Sequence, residues 1–134
     1  MGAWGHGSFD NDDACDWLYE LETASDISVL QRALQIVVDS NDDYLEAPAC
    51  SNAIAAAEVI AALQGQPTEH LPENAILWIE AHRDLDVSSL LLPAQLALQR
   101  IRLNSELQEL WDESDDPADW YATLDDLSAR LHKR

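Results

Sequence analysis

Glu46-Ala47-Pro48-Ala49-Cys50-Ser51-Asn52-Ala53-Ile54-Ala55-Ala56-Ala57-Glu58-Val59-Ile60-Ala61-Ala62-Leu63-Gln64 has almost no polar face. Between Ala49 and Leu63 its only polar side chains are Ser51, Asn52 and Glu58. Alanine is the best helix former, and a helix that is apolar all round has to be covered on several sides. Small side chains also let neighbouring backbones come close. The stretch predicts a central helix, stopped by Gly65-Gln66-Pro67, with the rest of the chain arranged around it.

The flanking sequence is written for helix as well. Asp10 or Asn11 can cap a first helix with Ala14, Trp17, Leu18 and Leu21 inside, and Ser25 or Asp26 a second with Ile27, Leu30, Ala33, Leu34 and Val37. Pro72 suits the first turn of a fourth helix over Glu73 to about Arg83, whose Ile76-Leu77-Trp78-Ile79 run predicts burial. A fifth runs from Leu90 to Leu103, and Ser105 with Gln108 forms a capping box for a short sixth ending at Trp111. In the last helix, begun by Asp116 and Pro117, Trp120, Leu124, Leu127 and Leu131 form one apolar stripe, and Asp125, Asp126, Ser128 and Arg130 fall outside it. No alternating run competes as a strand, and no fixed period marks a repeat array. The expectation is an all-α fold: one domain over residues 1–134, an irregular helical bundle of about six to seven helices with an ordered Gly-rich N-terminal segment.

The totals narrow the function classes. A chain of 134 residues is the size of a single domain, and 47% hydrophobic residues with five tryptophans are enough to fold it despite a formal net charge of -19. Residues 1–80 carry net -14 with Arg32 their lone cation, and residues 81–134 carry -5. That field repels phosphate backbones and anionic lipid, so neither nucleic acid nor membrane is expected as a partner. With no signal-peptide pattern and no long apolar run the expected location is cytoplasmic. His6 stands where a myristoylation motif wants Ser or Thr. Cys15 and Cys50, with no second pair, read as two buried thiols rather than a disulfide framework.

Two places could carry chemistry. The first, Gly2-Ala3-Trp4-Gly5-His6-Gly7 and the following Ser8-Phe9-Asp10-Asn11-Asp12-Asp13, holds three of the four glycines and many donor atoms. As a calcium loop it departs from the EF-hand pattern: counting from Asp10, Cys15 stands at position six and Leu21 at twelve. It reads better as a clasp over residues 1–9, with Trp4 and Phe9 inserted into the core. The second is Glu58, whose carboxylate, buried without partners, would cost several kcal/mol. Its expected partners are amides of the Gly2 to Ser8 segment, the Trp4 indole or His6. A general-base role for Glu58, joined by Glu80 and His82, lacks a nucleophile motif, a phosphate loop or a metal-protease helix.

The opening Met1-Gly2-Ala3-Trp4-Gly5-His6-Gly7-Ser8-Phe9-Asp10-Asn11-Asp12-Asp13-Ala14 resembles the signature of the bacterial domain-of-unknown-function family 4259. Tyr44-Leu45-Glu46-Ala47, the Ala53 to Ala62 stretch around Glu58, Leu71-Pro72-Glu73 before Trp78, and Ser105-Glu106-Leu107 before Trp111 are similar to its later landmarks. The resemblance implies a stand-alone bacterial helical protein of unassigned role and carries over no catalytic residue. It directs attention to Trp4, Phe9, Asp10, Asp12 and Glu58, and His6 joins them as a candidate partner of Glu58. The leading functional expectation is a non-catalytic interaction protein whose acidic surface binds a basic protein, as an immunity protein binds a basic toxin. The alternative is a small-molecule or metal-binding domain or an enzyme, with its site where the clasp meets Glu58. No cofactor is called for and no metal ligand set is assigned. The oligomeric state stays open.

Overall fold

The computed structural model describes residues 5, 7–40 and 43–132. Among these the elements are α1 (Asp12–Glu22), α2 (Ser28–Val38), α3 (Ala47–Leu63), α4 (Glu73–Ala81), a 3-10 turn (Ser88–Leu90), α5 (Leu91–Leu103), α6 (Glu106–Asp112) and α7 (Ala118–His132), with no strand. The fold is the all-α bundle expected. Trp4 and His6 lie outside the described residues, as do residues 1–3, so the clasp expected over residues 1–9 falls largely outside them.

The alanine run does become the axis. Every residue from Ala53 to Ala62 is buried, and α3 packs against all six other α-helices. A rod lined with methyl groups is what permits this, because larger side chains would hold the surrounding backbones away. Pro48 lies in the first turn of α3, where its missing amide hydrogen costs nothing. The helix ends in a Schellman arrangement: the Gln66 amide donates to the Ala61 carbonyl at 2.9 Å and the Gly65 amide to that of Ala62 at 3.0 Å. Gly65 turns the chain with φ +86°, a left-handed conformation that a side chain would strain.

Around this axis the apolar stripes of α1, α2 and α7 face inward as their spacing dictates: Ala14, Trp17, Leu18 and Leu21; Leu30, Ala33, Leu34 and Val37; Trp120, Leu124, Leu127 and Leu131. Asn11, not Asp10, caps α1, its Oδ1 accepting from the Ala14 amide at 2.8 Å. In α2 the cap position falls to Ile27, which has no side-chain bond to offer. Asp26, one residue earlier, instead accepts from the Ser28 amide and hydroxyl at 3.0 and 2.6 Å. Half of the capping box at α6 forms, with Ser105 Oγ accepting from the Gln108 amide at 3.0 Å. The Gln108 side chain turns forward to Asp112.

α4 departs from expectation. Its four-residue apolar run predicts burial, yet Ile76 and Leu77 are exposed, and Ala75, Trp78 and Ile79 alone face inward. The helix is short and peripheral, resting on α1 and α3, so one face is all it can cover. Trp78 fixes it: the indole donates to the Ala24 carbonyl at 3.1 Å, and its ring stacks on His82 with centroids 4.2 Å apart. Trp111, whose acidic surroundings point to the surface, is half-buried and stacked on Trp120 at 6.3 Å.

A close-packed alanine seam makes a definite prediction. Ala57→Leu should destabilise the fold by about 1–3 kcal/mol through overpacking, read as a lower denaturant midpoint, while Leu77→Gln should stay within about 0.5 kcal/mol. Equal effects of the two would contradict the buried-axis arrangement.

Candidate functional site

Glu58 sits two-thirds of the way along α3, 2% exposed. Helical geometry directs its carboxylate between the N-terminal segment and α7. Both oxygens are bonded. Ser8 Oγ donates to Oε2 at 2.6 Å, and the Arg130 guanidinium donates through Nη1 to Oε1 at 2.9 Å and through Nη2 to Oε2 at 3.2 Å. Such a two-pronged pairing fixes orientation as well as charge.

Arg130, only 9% exposed, is the residue that sequence reasoning misplaced. Assigned to the polar side of the last helix, it lies at the edge of the apolar stripe, three residues after Leu127, and reaches inward. Its Nε donates to Asp126 Oδ2 at 2.8 Å and its Nη1 also to the Gln66 carbonyl at 3.1 Å. Burial works against the charge, but hydrogen bonding and attraction from Glu58, then from Asp126, outweigh it and hold the guanidinium above its ordinary value. One side chain thus joins α3, the loop after it and α7. A signal was available: a carboxylate inside an alanine helix demands a cation, and the chain has only seven Lys and Arg to supply it.

Of the partners expected for Glu58, the amides of residues 2–4 and 6, the Trp4 indole and the His6 ring lie outside the described residues. Among the described residues the N-terminal segment reaches Glu58 through the Ser8 hydroxyl. Its path is set by a tight turn in which the Asp10 amide donates to the Gly7 carbonyl and the Gly7 amide donates to Asp10 Oδ2, both at 3.1 Å. The Asp10 carboxylate nests against two glycines. A Cβ on either Gly5 or Gly7 would lie 2.6 Å from Asp10 Oδ2. Phe9 is buried in the core, and its carbonyl accepts from Cys15 Sγ at 3.5 Å. Asp12 is exposed in the first turn of α1, where the helix dipole favours it, and stands apart from Glu58. Of the residues named from sequence, Phe9, Asp10 and Glu58 come together and Asp12 does not.

The arrangement has limited chemistry. To take the Ser8 proton, Glu58 would have to give up the Arg130 charge it is bonded to. Glu80 lies on α4 and His82 follows it as the C-cap, and neither lines the cleft beside Glu58. Among the described residues no three His, Cys, Asp or Glu side chains converge to hold a metal ion. Burial pushes the Cys50 thiol up to about 11, away from the thiolate form that a nucleophile uses. Beside the ion pair a cleft of about 290 Å³ opens, lined by Ser8, Asp10, Thr68, His70, Asp126 and Arg130. No helix is long and apolar enough to cross a membrane among the described residues.

Residues 2–123 match the family described as a domain of unknown function (DUF4259). The chain belongs to that family. The matched region holds Ser8, Asp10 and Glu58 and stops short of Arg130. No curated protein and no solved structure matches the chain.

A buried pair of this kind is tested by removing one side and then both. Arg130→Met should cost about 3–5 kcal/mol in urea unfolding, because it leaves the Glu58 charge uncompensated. The double variant Glu58→Met with Arg130→Met should recover most of that loss. A single variant no worse than the double would show that the pair is not the fastening described.

Proposed function

We propose that this chain is a non-catalytic interaction module whose acidic surface binds a basic protein, with an immunity or inhibitor protein as one concrete form. The observation that carries this reading is the disposition of charge. Glu58 is the one described carboxylate that is buried, and it is matched internally by Arg130. The others that are described face water fully or in part, and few have cations: Arg32 meets Glu20 at 3.2 Å, Arg102 meets Asp125 at 2.9 Å, and Arg130 also meets Asp126 at 2.8 Å. Asp12, Asp16 and Glu22 on α1, and Asp115, Asp116 and Asp119 where α7 begins, stand exposed. A field of this sign and density speeds the approach of a basic molecule and rejects anionic ones.

A second reading keeps the cleft beside Ser8 and Arg130 as a binding site for a small polar ligand. Its volume of about 290 Å³ favours that reading, while the carboxylates of Asp10, Asp119 and Asp126 around it disfavour an anion.

The two readings separate by experiment. For the first, a basic protein recovered on the tagged chain at low salt should lose affinity steeply as salt rises, and the triple variant Asp12→Asn, Asp16→Asn, Glu22→Gln should weaken it further, mainly by slowing association. Affinity indifferent to salt and to the triple variant would overturn the proposal. For the second, a melting shift of the native protein with metabolite amines, abolished by Ser8→Ala, would favour the cleft, since a ligand held only by the native state raises its stability by about 2.7 kcal/mol at 100 times its Kd. A flat screen removes it.

A further inference from the structure

α5 carries a face that the bundle does not use. Ala94, Ala97, Leu98 and Ile101 point into the core, and on the opposite side Leu92, Leu96 and Leu103 are 63, 45 and 64% exposed. With Gln99 between them, these positions step by four, three and four residues, the spacing of one seam of a coiled coil. The stripe is about 16 Å long at 1.5 Å per residue.

The charge around it is unlike the rest of the molecule. α1, α4, α6 and α7 all expose carboxylates, whereas neither α5 nor α2, which packs beside it, contains an Asp or Glu. The neighbouring α2 exposes Gln31 and Gln35. On the α7 side, Asp125 is paired with Arg102, whose guanidinium also lies 5.0 Å from the centre of the Tyr121 ring. Two objects of charge -19 repel each other wherever carboxylates face carboxylates. The α5 face is a place where two copies can meet without that.

We infer that α5 is the seam of a homodimer, in which the Leu92-Leu96-Gln99-Leu103 stripes of two copies lie against each other. A basic protein would find fewer charges to pair with here than on α1, and a second copy presents the same apolar stripe. The pairing is antiparallel. That order sets Leu92 against Leu103 of the other copy and keeps Arg100 and Arg102, which crowd the C-terminal end, away from their counterparts. Contact through one helix per copy makes a small interface, so the dimer is reversible and concentration-dependent. It is independent of the acidic-surface reading, because it leaves the α1 carboxylates outside the seam.

Sedimentation equilibrium of the full chain tests this. The mass should rise from monomer toward dimer with concentration, and the association should tighten as salt screens the mutual repulsion, opposite to the salt response of a basic partner. Leu96→Glu should return the monomer mass at the same concentration with an unchanged helical signal, and Leu77→Glu on α4 should leave the dimer intact. Should Leu96→Glu fail to fold, Leu92→Gln with Leu103→Gln gives the same readout. A monomer mass at every concentration, a dimer that survives both stripe variants, or a dimer broken by Leu77→Glu would overturn the inference.

Discussion

A carboxylate inside a rod of alanines has to be answered, and Arg130 and Ser8 answer it from two different parts of the chain. Glu58 alone would be a buried charge costing several kcal/mol. With both oxygens bonded it becomes the point at which the N-terminal turn, the long axis and the last helix are held in one relation. Replacing the group by hydrocarbon is often neutral in stability. What the ion pair adds is register, since a two-pronged guanidinium accepts one arrangement of α3 and α7 where leucine against alanine would accept several.

The alanine axis sets the second constraint. Its small side chains bring six helices close enough to cover it, but they supply little area of their own. The larger residues of the surrounding helices provide the burial: Trp17, Leu30, Ile101, Trp120 and their neighbours. Because the axis is narrow, short helices such as α4 and α6 suffice, each covering a part and leaving its outer face to solvent.

That division explains the exterior. Of the 26 Asp and Glu and seven Lys and Arg in the chain, Glu58 and Arg130 are the ones buried among the described residues, and the other described charges face water fully or in part. The net field does nothing for the fold, and self-repulsion works against it. α2 and α5 are the described α-helices without a carboxylate.

Much of this was legible in the residues themselves. Helix spacing in α1, α2 and α7 named the buried side chains, the lack of a polar face around Ala53 to Ala62 named the axis, and the opening motif named the family. These are local properties, fixed by how a helix presents every third or fourth residue. The exposure of Ile76 and Leu77 and the turn of Asp10 against Gly5 and Gly7 were not legible, because each depends on what stands opposite. The partner of Glu58 is the sharpest case: sequence could require a cation and offer seven, but choosing Arg130, 72 residues away, takes the packing of α7 against α3. A pattern along one helix records which face is apolar, and only the neighbour decides whether a residue at the border of that face meets water or a buried charge.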